Sequence, residues 1–214
     1  MNILNESFDK IYLITSYSTT NRLPELLSFL NKENIEVELV VAPKKQYFTP
    51  DPNLHKTKGT YSHLSAVESI FLKESFVKSN SFCILEDDIF FANNYVDKFN
   101  LFLQKLPQDW QILNLGFNEY TTVVFKSQDI LYKLQTGDRI CGSHFIAYKH
   151  DTVSFMLDKL PTCGYPMDWF LCDEMYSNFN TYICLTPTFH AMSYREHEND
   201  KHLFFYKKYL SEFF

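Results

Sequence analysis

The sequence predicts an α/β fold, with a mostly parallel central sheet flanked by helices and a small antiparallel insert. Short runs of β-branched and aromatic residues alternate with longer amphipathic segments, which is typical of strands joined by crossover helices. The 214 residues suit one domain, and no internal repeat or change of composition divides them. We therefore expect residues 1–214 to form a single domain, with about 195–214 as a C-terminal tail.

The first half of the chain predicts three strands and two helices. Pro24 marks the start of one helix, and Thr60 is a plausible N-cap for the other. The predicted elements are strand Lys10–Thr15, helix Pro24–Asn31, strand Glu36–Ala42, helix Thr60–Lys78 and strand Phe82–Leu85. Three prolines between Pro43 and Lys58 predict a long surface loop, which at this length is typical of a functional segment.

The second half continues the alternation and contains the antiparallel insert. Two short β-prone runs follow each other closely there and could form a hairpin. The predicted elements are helix Asn94–Leu106, strand Ile112–Leu115, the paired runs Thr122–Lys126 and Ile130–Leu134, strand Ser143–Tyr148, helix Asp151–Lys159, helix Asp168–Asn178 and strand Thr181–Leu185.

Composition and charge exclude several classes of protein. A 45% hydrophobic and 17% aromatic chain is not disordered, and a net charge of -6 without a basic cluster disfavours nucleic-acid binding. Five cysteines without a CxxC pair indicate reduced thiols rather than a disulfide framework or zinc ribbon. The sequence shows neither a signal peptide nor an apolar run of about 20 residues, so we expect a cytoplasmic protein.

The most informative segment is an apolar strand, Phe82–Leu85, that runs directly into Glu86, Asp87 and Asp88. Because strand side chains alternate between faces, Glu86 and Asp88 can point into one crevice while Asp87 points elsewhere or holds a neighbouring loop. Ligands of open α/β sheets bind beyond the carboxyl ends of strands. A carboxylate pair there could hold Mg²⁺ or Mn²⁺ and, through it, a diphosphate.

A structural alternative for these acids is that they cap a helix, since carboxylates favour helix N-termini. The apolar run Ile89–Phe91 follows them, and the next predicted helix begins only near Asn94. That distance is too long for Glu86 or Asp87 to cap it. Acidic clusters after strands also occur without a function, so it stays open whether these three acids bind a metal or have only a structural role.

Six separate segments of the chain contain short motifs that occur together in one family of enzymes. They are Phe8–Ile14 followed by Arg22, Gly59 with Ser62-His63-Leu64, Ile84–Ile89, Gly142–Ile146, Pro166-Met167-Asp168 and Tyr182–Pro187. In order and spacing over roughly residues 8 to 190 these segments resemble glycosyltransferase family 25, the lipooligosaccharide and procollagen galactosyltransferase group. The acidic segment is the most specific of them.

This resemblance implies a GT-A domain, which is Rossmann-like, and a transferase that depends on Mn²⁺ or Mg²⁺. It implies transfer of galactose or a related hexose such as glucose from a UDP-sugar donor, with inversion. The acceptor would be an oligosaccharide, a glycolipid or a hydroxylated protein side chain.

Several residues are candidates for binding the donor. Ser16 and Ala42 lie at the ends of the first two predicted strands, where topology places a nucleotide crevice. Arg22 could contact a phosphate or uracil, or could be a solvated surface arginine; His63 could bind the nucleotide or be a core or capping histidine. The predicted nucleotide-binding residues are Ser16, Arg22, Ala42, His63, Glu86 and Asp87.

The predicted metal ligands are Glu86, Asp88 and His190, the last after the final strand. His144 is ambiguous between a core and a functional residue. An inverting transfer also needs a base that accepts the proton of the attacking hydroxyl, and we assign this role to Asp168. The alternative for Asp168 is a helix N-cap, and Asp138 or the pair Asp173-Glu174 would be the substitutes.

The tail from His202 to Phe214 is aromatic and contains two lysines. Two lysines attract anionic lipids only weakly, so we expect the tail to dock on the protein's own sheet. Peripheral contact with a membrane surface is the alternative.

Two other functions compete with the transferase. The same carboxylates could serve a metal-dependent phosphohydrolase or nuclease, since paired carboxylates and a divalent ion also activate water. The chain could also be a non-catalytic carbohydrate-binding scaffold, because aromatic side chains provide surfaces on which sugars stack.

Overall fold

A computed structural model describes residues 2–16, 22–44, 58–116, 119–120, 131–184 and 189–191. The helices are α1 (Ile3–Ser7), α2 (Arg22–Lys32), α3 (Lys58–Val77), α4 (Tyr95–Lys105), α5 (Val153–Lys159) and α6 (Met167–Phe170). The strands are β1 (Lys10–Thr15), β2 (Glu38–Val41), β3 (Ser81–Glu86), β4 (Ile89–Phe91), β5 (Ile112–Gly116), β6 (Glu119–Tyr120), β7 (Leu131–Lys133), β8 (Ile140–Cys141), β9 (Phe145–Lys149), β10 (Thr181–Cys184) and β11 (Phe189–Ala191).

A seven-stranded sheet forms the centre of the fold, in the order β2-β1-β3-β9-β5-β10-β7. Strands β1, β2 and β3 are parallel neighbours, and so are β5 and β10, whereas β9 is antiparallel to both β3 and β5. Strand β7 is antiparallel to β10 at the edge. Five of the seven strands therefore run in one direction, which confirms the predicted α/β fold with a mostly parallel sheet.

The structure describes only the second run of the predicted hairpin, so the hairpin itself stays a prediction. Residues 122–126 of that hairpin lie outside the described part of the chain, and β7, from its second run, pairs with β10 in the main sheet. Two small antiparallel sheets, β4 with β11 and β6 with β8, lie outside the main sheet.

Several predicted helices have different boundaries in the structure. Helix α2 begins at Arg22, two residues before Pro24, so the prediction that Pro24 marks its start is wrong. Helix α3 already begins at Lys58, so Thr60 lies inside the helix and the predicted N-cap is wrong. The predicted helix Asp168–Asn178 is instead α6 followed by a wider π-helical turn, Leu171–Met175. Helix α1 was not expected, because its five residues are too few to show a helical period.

The sheet has a hydrophobic core on each face. Residues alternate between the two cores along each central strand: Tyr12 and Ile84 belong to the core that includes α3 and α5, and Leu13 and Leu85 to the core that includes α2 and α4. This double burial explains why the central strands are continuous apolar runs, as is typical of sheets covered by helices on both faces.

The connections around β1 create a crevice. The chain leaves β1 for β2 on one side and then crosses to β3 on the other side of β1. Because β2 and β3 lie on opposite sides of β1, the order of the strands reverses there and the loops that follow β1 and β3 lead in opposite directions. Ligands of open α/β sheets bind in the crevice between such loops. Residues Thr15 and Glu86, at the ends of these strands, therefore flank the expected ligand site.

Three predictions concern segments outside the described part of the chain: most of the loop from Pro43 to Lys58, Leu185 to Pro187, and the C-terminal tail. Among the described helices, none combines the length and the apolar character needed to cross a bilayer.

Candidate functional site

Three side chains that commonly bind metals meet at the carboxyl end of β3. They belong to Glu86, the last residue of β3, to Asp88 in the turn before β4, and to His144 immediately before β9. One ligand atom from each lies within 4.8 Å of the others. They converge because β9 is antiparallel to β3, so that the start of β9 lies beside the end of β3.

The backbone of His144 is held by the strands on both sides. Its amide donates a hydrogen bond to the Gly116 carbonyl of β5 (3.1 Å), and its carbonyl accepts one from the Glu86 amide (3.0 Å). Gly116 permits this close approach, since a Cβ atom there would lie 2.8 Å from the Phe145 nitrogen. The backbone from which the imidazole projects is thus fixed by two neighbouring strands.

The imidazole of His144 lies between the two carboxylates. Its Nδ1 is 3.1 Å from Asp88 Oδ1 and 3.5 Å from Glu86 Oε2. The other oxygen of Glu86, Oε1, accepts a hydrogen bond from the Ser143 hydroxyl (2.6 Å) and lies 3.5 Å from His63 Nε2 on α3. The side chains of Glu86 and Asp88 are 21% and 18% exposed, so they remain accessible to a small ligand.

Electrostatics favour the ionised carboxylate and the charged imidazole. Burial acts to raise the pKa of Glu86, but the positive charges of His63 and His144 and the hydrogen bonds from His144 and Ser143 outweigh it and lower that pKa far below its usual value. Burial likewise acts to lower the pKa of His144, but the attraction of Glu86 and the contacts with Asp88 outweigh it and raise that pKa to about 10. Without a metal, the imidazolium neutralises part of the carboxylate charge.

Asp87 points away from this cluster and holds the end of β1. Its Oδ2 accepts hydrogen bonds from the Thr15 hydroxyl (2.7 Å) and the Ser16 amide (3.3 Å). The buried Ala42 is joined to the same place, because its amide donates to the Thr15 carbonyl (2.8 Å). The structure thus brings Ser16, Ala42 and Asp87 together at the crevice, and their contact with a nucleotide stays a prediction.

Two other predicted residues have undescribed side chains. Arg22 is the first residue of α2, and His190 lies in β11, where its backbone is paired with Phe90 of β4. The roles of Arg22 in donor binding and of His190 as a metal ligand therefore stay predictions.

The proposed base, Asp168, lies in the first turn of α6. Pro166 occupies the N-cap position, and Asp168 Oδ1 accepts a hydrogen bond from the adjacent Trp169 amide (3.0 Å). Asp168 is therefore not the N-cap of α6, and the predicted N-cap alternative is wrong. Burial is the main cause of the raised pKa of Tyr176, and the charge of Asp168 also contributes to it.

Two of the substitutes for Asp168, Asp138 and Asp173, are already engaged in local structure. Asp138 Oδ2 accepts hydrogen bonds from the Gln135 amide (2.7 Å) and the Tyr132 hydroxyl (3.1 Å). Asp173 forms a salt bridge with Arg139 (2.6 Å). Both carboxylates therefore have a role in local structure that explains their presence without catalysis.

His144 is the site residue that sequence reasoning did not assign to the metal. The sequence places it in the Gly142-Ser143-His144 segment, but a lone histidine inside a predicted strand is a weak signal of a metal ligand. Knowledge that this strand is antiparallel to β3 would have placed the ring beside Glu86. That pairing is a long-range property that the local pattern does not contain.

Comparisons with known proteins identify no relative by sequence, because no family model and no curated protein matches the chain. Membership of glycosyltransferase family 25 therefore stays a prediction. Among solved structures, the chain is similar to a glycosyltransferase involved in the glycosylation of the major capsid of PBCV-1, with 10% identity over 86% of this chain and 93% of that one and a TM-score of 0.49.

Two further solved structures are similar at the same level. A197 from STIV is 13% identical over 81% of each chain, with a TM-score of 0.48. The mannose-1-phosphate geranyltransferase from Thermus thermophilus is 10% identical over 82% of this chain and 72% of that one, with a TM-score of 0.45.

Proposed function

We propose that the protein is a metal-dependent glycosyltransferase that transfers a hexose, galactose or glucose, from a UDP-sugar to a saccharide or hydroxylated acceptor. The observation that carries this proposal is the convergence of Glu86, Asp88 and His144 at the carboxyl end of β3, beside the point where the winding of the sheet reverses. The sequence resemblance to glycosyltransferase family 25 supports the reaction class.

The donor set fits a divalent transition metal. Two carboxylates and one imidazole combine hard oxygen ligands with a nitrogen ligand, and a nitrogen ligand favours Mn²⁺ over Mg²⁺. Glu86 and Asp88 would hold the ion with His144. A bound divalent ion would neutralise charge on a diphosphate leaving group.

The neighbouring residues position this site. Asp87 fixes Ser16 at the end of β1, and Ser143 orients the Glu86 carboxylate. Orientation of this kind matters because holding two reactants in the reactive geometry can lower a barrier by up to about 7–11 kcal/mol. We infer that the donor diphosphate lies between the end of β1 and the Glu86 side chain.

The second chemical requirement is a group that accepts the proton of the acceptor hydroxyl. We assign it to Asp168, whose carboxylate is partly exposed in the first turn of α6. Helix α6 belongs to the same side of the sheet as α3, which carries His63. With inversion, the hydroxyl oxygen would attack the anomeric carbon while its proton passes to Asp168 and the UDP oxygen leaves with the bonding electron pair.

A metal-dependent phosphohydrolase is the enzymatic alternative. Two-metal hydrolases hold their ions about 3.5–4 Å apart, which needs additional ligands. Within the described ranges, Glu86, Asp88 and His144 form the one group of three side chains placed to bind a metal. This observation favours the transferase among metal-dependent enzymes.

The proposal is tested by thermal stabilisation of the purified protein with UDP, UDP-galactose and UDP-glucose, each with Mn²⁺ or with a chelator. GMP and single-stranded DNA are the control ligands. We expect a uridine nucleotide to raise the melting temperature only with Mn²⁺, and Asp88→Asn to abolish that shift. Binding of free sugars without any nucleotide effect would indicate the scaffold, and cleavage of a generic phosphodiester would indicate the hydrolase.

A further inference from the structure

Asn114 is a fully buried polar residue of β5 that the proposed chemistry does not use. Its side-chain nitrogen donates hydrogen bonds to the Gly142 carbonyl (3.1 Å) and to the Tyr176 hydroxyl (2.9 Å). Both hydrogens of the amide are therefore engaged, whereas its oxygen has no hydrogen-bond partner among the described residues. Buried polar groups are costly unless they are hydrogen-bonded, so an amide at this position requires an explanation.

The first bond holds the segment that carries the histidine of the site. Gly142 has a φ of 101°, in the left-handed region that favours glycine, and its carbonyl is fixed by Asn114. The side chains of the next two residues, Ser143 and His144, both contact Glu86. The direction in which this segment leaves Gly142 thus determines where the hydroxyl and the imidazole lie.

The second bond reaches the helical segment that follows the proposed base. Tyr176 comes directly after the π-helical turn that continues α6, and its ring is buried. Helix α6 begins the same segment and carries Asp168. One amide therefore joins the strand segment of His144 to the helical segment of Asp168.

We propose that Asn114 is a positioning residue, which sets the geometry of Glu86, Asp88 and His144 by fixing the Gly142 carbonyl against the Tyr176 hydroxyl. The proposal deepens the proposed function and rests on it for the identity of the metal site. Outer partners of metal ligands typically contribute about 10–100-fold to metal affinity, because they hold the ligand in its binding orientation.

A purely structural role makes a different prediction. If Asn114 only stabilised the core, an apolar residue of similar size would lower the free energy of unfolding, because the Gly142 carbonyl and the Tyr176 hydroxyl would each lose their hydrogen bond with Asn114, and it would leave the metal affinity unaltered. A positioning role instead requires a loss of metal affinity that exceeds any loss of stability.

The test uses the full-length variants Asn114→Leu and Asn114→Val, with Thr152→Val as the matched control. Thr152 is equally buried and donates a hydrogen bond to the Lys149 carbonyl (2.8 Å), at the opposite end of β9 from the site. Electron paramagnetic resonance of free Mn²⁺ gives the Kd. Amide hydrogen exchange of Glu86 and His144, with Leu13 as the reference, reports the local geometry without metal.

We expect both Asn114 variants to raise the Mn²⁺ Kd by about 10–100-fold and to accelerate exchange at Glu86 and His144 but not at Leu13. Thr152→Val should leave the Kd and the exchange at these amides unchanged. If the wild-type protein binds no Mn²⁺, the proposed function fails, while the exchange at the two amides still decides the role of Asn114. Unchanged exchange and Kd in a folded variant, equal acceleration at Leu13, or failure of both variants to fold would overturn the proposal.

Discussion

A methyl group added at Gly116 should disturb the site without touching a ligand. In Gly116→Ala, the new Cβ would lie 2.8 Å from the Phe145 nitrogen and 3.0 Å from the Phe145 Cβ, whereas ordinary contact begins at 3.4 Å. The backbone around Phe145 must therefore retreat by about 0.6 Å. His144 precedes Phe145 and is bonded to the Gly116 carbonyl, so the imidazole moves with it.

Two magnitudes follow from this displacement. Overpacking of a buried site costs about 1–3 kcal/mol, so the variant should fold with a reduced free energy of unfolding. A ligand moved by a fraction of an ångström should weaken Mn²⁺ binding by about tenfold, at the lower limit of the effect of altered outer contacts. Urea unfolding measures the first quantity, and a Mn²⁺ titration followed by electron paramagnetic resonance measures the second.

Gly137→Ala is the matched control for this experiment. A Cβ at Gly137 has no atom within 4 Å, but the residue has a φ of 94°, so alanine is strained there without crowding a neighbour. It should lose stability on the order of 1 kcal/mol and keep the wild-type Mn²⁺ affinity. If Gly116→Ala bound Mn²⁺ as tightly as the wild-type protein, the argument that the approach of β5 to β9 positions His144 would be refuted.

Three further predictions address the base, the pH dependence and the core. Asp168→Asn should keep the affinity for UDP and Mn²⁺ and lower the rate of sugar transfer by about 10²–10⁴-fold, the usual contribution of a general base; a wild-type rate in a transfer assay would exclude Asp168 from this role. Because the metal-free protein holds His144 protonated up to about pH 10 and metal binding needs the neutral ring, Mn²⁺ affinity should increase about tenfold per pH unit from pH 7 to 9. His144→Gln should flatten this dependence in calorimetric titrations, and a wild-type profile that is already flat would contradict it. Tyr12→Phe removes a buried hydroxyl that donates to the buried Glu74 carboxylate, so urea unfolding should show a loss of about 1.5–3 kcal/mol with an unchanged Mn²⁺ Kd; a loss of metal affinity here would mean that the site responds to any core defect.

Sequence patterns predict those features of the fold that are determined by residues close together in the sequence. The apolar run Lys10–Thr15 is a strand with the predicted bounds, and Phe82–Leu85 lies within β3. Alternation along that strand and its turn also accounts for the acids, since Glu86 and Asp88 meet at one site while Asp87 turns to β1. These features follow from backbone geometry over a few residues.

Long-range pairing explains what the pattern does not contain. The run that forms β9 is apolar on both faces, so nothing in it indicates a direction antiparallel to β3. The role of His144 follows from that direction, and the link between Asn114 and Gly142 joins residues 28 positions apart. A single sequence specifies such contacts only through the whole packed structure.

Pulsed electron paramagnetic resonance of the Mn²⁺-loaded protein tests the central claim most directly, because it identifies the atoms around the ion. The account predicts modulation from a directly coordinated imidazole nitrogen that disappears in His144→Gln, and a phosphorus coupling that appears when UDP is added. A manganese spectrum without nitrogen modulation, or without a phosphorus coupling at saturating UDP, would contradict it.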